Sequence, residues 1–257
     1  VTDRGLAYGD GLFETMRIVA GEVQRLGFHL DRLLLGCERL ALPHPGRSEL
    51  ENKIRQAAAA IDTGNLKLML TRGEGPRGYA PPARPTPTII LLPARAPAPS
   101  VTELAVATLE LRLGENVKLA GIKHLNRLEQ VLARLELGDL DADEGLMLST
   151  SGAVIGGTSR NLFAVYGGIV KTPAVDRAGI AGVMRRAVLE RCAELEIAAT
   201  ECELTRGDLG LADELFMTNA LVGVQSVNRL DQQTLASRSV AVRLRESFGA
   251  EPGGADG

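Results

Sequence analysis

The stretch Pro93-Ala94-Arg95-Ala96-Pro97-Ala98-Pro99-Ser100 divides a chain of 257 residues into two halves. Proline lacks a backbone N–H and has a fixed φ, so three prolines within seven residues cannot continue a helix or a central strand. The stretch reads as an extended linker. It sets an N-terminal lobe over 1–95, a linker over 96–101 and a larger C-terminal lobe over 102–249. The tail 250–257, which ends Glu251-Pro252-Gly253-Gly254-Ala255-Asp256-Gly257, is small and polar and is expected to be disordered.

Working outward from the linker, strand and helix patterns alternate in both halves. Leu12 to Val19 alternates in polarity, Ala20-Gly21 supplies a turn, and Glu22 to Leu26 returns as the second arm of a hairpin. Leu30, Leu33, Leu34, Cys37 and Leu40 recur at helical spacing within His29 to Leu42. Ser48 is expected to cap a further helix reaching Ile61, with Glu51 as its capping-box partner. Leu66 to Leu70 and Thr88 to Leu92 read as strands. Beyond the linker, Leu104 to Leu111, Glu144 to Leu148, Asn161 to Tyr166 and Leu215 to Thr218 read as strands. Leu125 to Leu137, Ala181 to Leu195 and Ser237 to Phe248 read as helices. The class is α/β or α+β with two lobes.

Composition narrows the function. A net charge of −3 gives no electrostatic footprint for nucleic acid. The chain has no Trp and only 3% aromatic residues, which argues against base-stacking platforms and aromatic-lined sugar grooves. No apolar run approaches the roughly 18 residues of a membrane helix, and no signal-peptide pattern opens the chain. Cys37, Cys192 and Cys202 are odd in number and widely spaced, which suits reduced thiols in a cytoplasmic protein. The three histidines are dispersed, so no metal site is expected.

Gly73-Glu74-Gly75-Pro76-Arg77-Gly78 matches a dinucleotide-binding fingerprint in letters only. That fold needs a helix to begin there, and Tyr79-Ala80-Pro81-Pro82 blocks one. The segment reads as a glycine-rich loop between strands, with Arg77 as a candidate to face a ligand. Lys123 lies in Leu119-Ala120-Gly121-Ile122-Lys123-His124-Leu125-Asn126. An apolar setting lowers a lysine's pKa and favours the nucleophilic amine, although the same wording fits a surface lysine beside a helix start. Glycines in Arg177-Ala178-Gly179-Ile180-Ala181-Gly182-Val183-Met184-Arg185 lead into a helix whose N–H groups suit a phosphate. Polar Thr218 and Asn219 end the apolar strand of Glu214-Leu215-Phe216-Met217-Thr218-Asn219-Ala220.

Taken in order, these segments resemble the fold-type IV (class IV) pyridoxal-phosphate enzymes, which include branched-chain aminotransferase, D-amino-acid aminotransferase and aminodeoxychorismate lyase. Asp3-Arg4-Gly5-Leu6-Ala7-Tyr8-Gly9-Asp10-Gly11-Leu12-Phe13-Glu14-Thr15 resembles the family's first hairpin, and the resemblance spans about residues 2 to 230. It implies a two-lobed fold with pyridoxal 5'-phosphate in the cleft between lobes. Lys123 falls at the cofactor-bonding lysine. Arg32, in His29-Leu30-Asp31-Arg32-Leu33, falls at the phosphate-holding arginine. Gly182, Val183 and Met184 match the phosphate-binding helix start, and Asn219-Ala220 the second phosphate-side turn. Lys123-His124-Leu125-Asn126-Arg127-Leu128-Glu129-Gln130 and Arg72-Gly73-Glu74-Gly75-Pro76-Arg77-Gly78-Tyr79 resemble the lyase wording, with Pro76 in place of a more usual glycine.

The resemblance therefore implies conversion of 4-amino-4-deoxychorismate to 4-aminobenzoate and pyruvate, a step toward folate. The alternative is a D-amino-acid or branched-chain aminotransferase. Thr15 is a candidate proton donor beside Lys123. Arg77 and Arg17 are candidates for the substrate carboxylates. A homodimer acting on a small molecule is implied, with neither nucleic acid nor membrane as partner.

Two departures qualify this. In Val154-Ile155-Gly156-Gly157-Thr158-Ser159-Arg160-Asn161, Gly156 stands where the family has a glutamate that pairs with the cofactor's ring nitrogen. Without it the ring is a poorer electron sink, which leaves a catalytically weak cofactor-binding homologue as a further reading. The family also carries a strand ahead of Asp3-Arg4-Gly5. Either the chain is truncated or the first lobe lacks that edge strand.

Overall fold

The computed structural model describes residues 2–95 and 103–249. The linker expected at 96–101 and the tail at 250–257 lie outside the described residues. The chain forms two compact units, Val1–Ala98 with Ile122–Arg127, and Pro99–Gly121 with Leu128–Gly257.

The first unit contains α1 (Arg4–Tyr8), β1 (Gly11–Val19), β2 (Glu22–Val23), α2 (Leu26–Arg39), α3 (Arg47–Ala58), β3 (Thr63–Thr71) and β4 (Thr88–Arg95). Its sheet has the order β2-β1-β3-β4. Leu12, Met16 and Ile18 of β1 and Leu66, Leu68 and Leu70 of β3 are buried. Alternation puts each set on a single face of the sheet. Leu30 and Leu33 of α2, and Leu50 and Ile54 of α3, are buried with them.

Several boundaries differ from the sequence reading. The return arm of the hairpin is only Glu22–Val23, because Arg25 turns the chain at φ +55 and α2 opens at Leu26. The cap of α3 is Gly46 at φ +96, not Ser48, so Ser48 already lies in the first helical turn and forms no capping box. Pro93, Ala94 and Arg95 continue β4 rather than opening the linker. An edge strand tolerates proline because one side of its ladder has no partner.

Residues 122–127 follow the linker in sequence yet belong to the first unit. Strand β2 pairs only with Ile18 and Val19, which leaves the start of β1 with an open edge. The Lys123 segment fills it. Phe13 N–H donates to the Lys123 carbonyl at 2.9 Å, and Leu125 N–H donates to the Gly11 carbonyl at 3.0 Å. This pairing keeps Leu125 to Arg127 out of the helix expected there, which starts at Leu128.

The second unit contains β5 (Glu103–Leu113), α4 (Leu128–Leu137), β6 (Glu144–Ser149), β7 (Val154–Gly157), β8 (Asn161–Tyr166), β9 (Ile169–Pro173), α5 (Val183–Glu194), β10 (Ala199–Cys202), α6 (Arg206–Leu209), β11 (Glu214–Asn219), β12 (Gly223–Leu230), β13 (Gln233–Thr234) and α7 (Ser239–Gly249). The strand order is β10-β9-β8-β11-β12-β5-β6-β7, with β13 beside β12. One core holds Leu104, Val106, Leu146, Leu162, Leu215, Met217 and Val227. A second holds Leu109, Leu113, Met147 and Ile155 with Ala133 and Leu137 of α4. Among the described residues no helix is long and apolar enough to cross a membrane.

Candidate active site

In the first unit, β1 sends Leu12, Glu14, Met16 and Ile18 to its buried face, so Phe13, Thr15 and Arg17 occupy the other. Thr15 is in register with Lys67 of β3, which places their side chains together. The Lys123 Nζ lies 4.2 Å from the Phe13 ring centroid and the Lys67 Nζ 5.1 Å from it. Both amines thus stand over the one Phe13 ring. Desolvation, and then the positive charge of Arg32, pull the Lys123 pKa from 10.5 to about 7. Arg127 and Lys67 act in the same direction, and Glu14 opposes them. Lys123 is therefore a substantially neutral amine near neutral pH. Arg17 and Arg77 are exposed and are not among these charges.

Behind Lys123 lies a buried ionic group. Glu14, 2% exposed, accepts from Arg32 Nε at 2.8 Å and from Arg32 Nη2 at 2.5 Å. His29 Nδ1 stands 2.6 Å from the same Glu14 Oε2. Burial alone would raise the Glu14 pKa, but the Arg32 charge and the His29 hydrogen bond outweigh it and hold it at about 2. Burial lowers the His29 pKa, so its ring is neutral and Nδ1 carries the donated proton.

Arg77 lies on the loop after β3. That loop is tied down by Arg4, whose guanidinium donates to the carbonyls of Gly78 at 3.0 Å and Tyr79 at 2.8 Å. Asp10 accepts from both Arg4 Nε and Arg72 Nε at 2.8 Å.

The second unit carries Gly156, Gly182, Val183, Met184, Asn219 and Ala220. Gly182 caps α5, and Val183 and Met184 form its first turn, whose N–H groups point out of the helix. A Cβ on Gly182 would lie 1.9 Å from Asn161 Oδ1, so a larger residue there would have to displace the Asn161 side chain. Asn161 Nδ2 donates to the Ile180 carbonyl at 2.9 Å and holds the chain leading into α5. Thr218 is opposite Asn161 in the β8–β11 ladder. Its Oγ1 is buried and has no hydrogen-bond partner in the structure. The Asn219 side chain accepts from Leu221 N and Val222 N at 3.0 Å and closes the turn that contains Ala220. An open helix start with an unpartnered buried hydroxyl suits a phosphate, and a neutral lysine suits an aldehyde. The residues present thus fit pyridoxal phosphate.

Gly156 has φ +149, and a Cβ there would lie 2.9 Å from the Arg160 carbonyl oxygen. The following loop is held by buried Glu144. Its carboxylate accepts from Thr158 N at 3.0 Å, Ser159 Oγ at 3.0 Å, Arg160 Nη1 at 2.5 Å and the Thr158 hydroxyl. Among the described residues no group of three or more His, Cys, Asp or Glu could hold a metal ion.

Fold and site together define a pyridoxal-phosphate-dependent enzyme of fold type IV. Residues 11–230 match the amino-transferase class IV family, and the chain belongs to it. It is 34% identical over 230 residues to an aminodeoxychorismate lyase of Vibrio harveyi, covering 88% of this chain and 85% of that one. It is 28% identical over 244 residues to a D-alanine aminotransferase of Bacillus licheniformis, covering 92% and 84%. The crystal structure of 4-amino-4-deoxychorismate lyase from Pseudomonas aeruginosa superposes with a TM-score of 0.93 at 40% identity, covering 98% of this chain and 94% of that one.

Sequence reasoning missed Glu14, His29, Lys67, Glu144 and Asn161. Glu14 left a signal: it is a carboxylate on the face that β1 otherwise fills with Leu12, Met16 and Ile18, and a charge placed there needs a partner.

Proposed function

We propose that this enzyme is an aminodeoxychorismate lyase, converting 4-amino-4-deoxychorismate to 4-aminobenzoate and pyruvate. The observation that carries the reading is the 40% identity, over 98% of the chain, to a lyase of that specificity. Lys123 bonds the cofactor, with Arg32, Gly182, Val183, Met184, Asn219 and Ala220 holding its phosphate side.

Bound pyridoxal phosphate supplies a conjugated ring that takes up an electron pair from the carbon bearing the substrate nitrogen. Lys123, as a neutral amine, accepts the proton from that carbon. The bond to the enolpyruvyl oxygen then breaks and the substrate ring becomes aromatic. Lys123 returns a proton to the enolpyruvate carbon to give pyruvate, with Thr15 as the alternative donor on the same side of β1 as Phe13. Lys67, Arg77 and Arg17 are candidates for the two substrate carboxylates. Supplying aminodeoxychorismate and assaying products tests the reading. Pyruvate and 4-aminobenzoate in equal amounts, lost in Lys123→Ala, are expected. Glutamate formed from 2-oxoglutarate and a D- or branched-chain amino acid, without 4-aminobenzoate, assigns a transaminase instead.

A second reading rests on Gly156, where no side chain stands to meet the cofactor's ring nitrogen. It predicts full cofactor occupancy with little turnover of any of these substrates. A homodimer is also proposed. Leu128, Val131, Leu132 and Leu135 are exposed at 71%, 53%, 47% and 67% along one stripe of α4, an apolar face that suits a second copy of the chain.

A further inference from the structure

We propose that Glu14, held in place by His29, is the positioning residue that aims Arg32 at the cofactor's phosphate. This deepens the reading of Arg32 as a phosphate ligand and rests on it. Arg32 lies on α2, one turn after His29, and Glu14 lies on β1, so three side chains from two elements meet in one buried knot. The guanidinium has a rigid fork of donors. Glu14 takes one whole edge of it, Nε and Nη2, through its two oxygens. A bidentate bond of this kind fixes the guanidinium plane as well as its position, and therefore the heading of the opposite edge.

His29 donates to Glu14 Oε2, the oxygen that also receives Arg32 Nη2. The carboxylate therefore has little freedom to rotate. The Glu14–Arg32 pair aims Arg32 only as firmly as the carboxylate is itself held, and the His29 hydrogen bond holds it. Glu14 itself sits on the buried face of β1, opposite to the face of Phe13 and Thr15. Its role is exercised through Arg32 and not on the substrate.

The test compares pyridoxal phosphate with pyridoxal, which lacks the phosphate. Both are titrated into cofactor-free full-length protein, and the ratio of their dissociation constants is read from the absorbance of the lysine-bound cofactor. In Glu14→Gln the ratio is expected to fall by about tenfold, the scale of one lost charge-assisted contact, while pyridoxal binding stays within about twofold. Arg32→Lys keeps the charge, loses the fork, and is expected to behave like Glu14→Gln. Adding Glu14→Gln to Arg32→Ala is expected to change the ratio no further.

An equal loss for both ligands in Glu14→Gln would mean general damage and overturn the proposal. So would a ratio unchanged from the wild type in Arg32→Lys, because charge alone would then suffice. If Arg32→Ala itself leaves the ratio intact, the phosphate-ligand reading fails and takes the proposal with it. That result is distinct from an Arg32-dependent ratio that ignores Glu14, which overturns the positioning role alone.

Discussion

The depressed pKa of Lys123 makes a prediction about how the protein captures its cofactor. With a pKa near 7, about half of the Lys123 amine is neutral at pH 7, whereas a lysine at 10.5 is neutral in only about 0.03% of molecules. Only the neutral amine attacks an aldehyde, so capture at pH 7 is expected to be about a thousandfold faster than for an ordinary lysine of equal nucleophilicity. The rate is expected to rise about tenfold per pH unit below 7 and to level off above it. The assay is stopped-flow absorbance of cofactor-free protein mixed with pyridoxal between pH 5.5 and 9.5. Dividing by the rate for N-acetyl-lysine removes the aldehyde's own titration, and pyridoxal removes that of the phosphate. This quotient is expected to be flat below pH 7 and to fall about tenfold per unit above it, where the free lysine keeps gaining neutral amine and Lys123 does not. Lys67→Met removes a like charge, favours the ammonium form of Lys123 and moves the break to higher pH. A protein rate that climbs tenfold per unit through pH 9.5 would refute the desolvated-amine argument.

Gly182→Ala forces a Cβ to within 1.9 Å of Asn161 Oδ1, and the neighbour must move or the helix start must shift. Overpacking of this kind costs about 1–3 kcal/mol, read as a melting temperature lowered by several degrees together with weaker pyridoxal phosphate binding. Glu14, whose pKa is held at about 2 against 4.5, contributes stability that is present above pH 4.5 and lost as pH falls through 2. The amount is about 3 kcal/mol, so urea unfolding between pH 5 and 2 should be less acid-sensitive in Glu14→Gln than in the wild type. Leu128→Glu with Leu135→Glu puts charge on the exposed stripe of α4 and is expected to leave a folded monomer in sedimentation analysis. A dimer of unchanged stability would remove α4 from the interface.

The elements legible in the sequence are those specified by local period. The alternation of β1 and the Leu30–Leu33–Cys37 spacing of α2 were both readable because each element buries one face against the other. What failed depended on distant partners. Leu125 to Arg127 follows an apolar helical pattern, yet the open edge of β1, more than a hundred residues earlier, claims that backbone first. Ser48 has the right chemistry for a cap, but Gly46 reaches a conformation that L side chains rarely adopt and starts the helix earlier. The apolar wording around Lys123 already points to a depressed pKa, which burial delivers, while the charges that add to it are not readable there. Arg32, Glu14 and Lys67, which set its charge environment, come from three other segments.

Gly156 shows the same dependence in reverse. Read as letters, it is a glutamate position that has lost its side chain, and restoring the carboxylate looks like a single substitution. In the structure the backbone at 156 sits at φ +149, with the Arg160 carbonyl 2.9 Å from where a Cβ would be. That carbonyl is not free to retreat. It accepts from Gly157 N–H at 2.8 Å, and the Arg160 side chain is bound to Glu144, which also holds Thr158 and Ser159. The loop from 157 to 160 is therefore organised around a buried carboxylate from β6, and glycine at 156 is part of that organisation. Any carboxylate meeting the ring nitrogen has to come from another position, or the loop has to be rebuilt. The departure is a property of how β7 and its loop are bonded, and a side-chain swap at 156 does not reverse it.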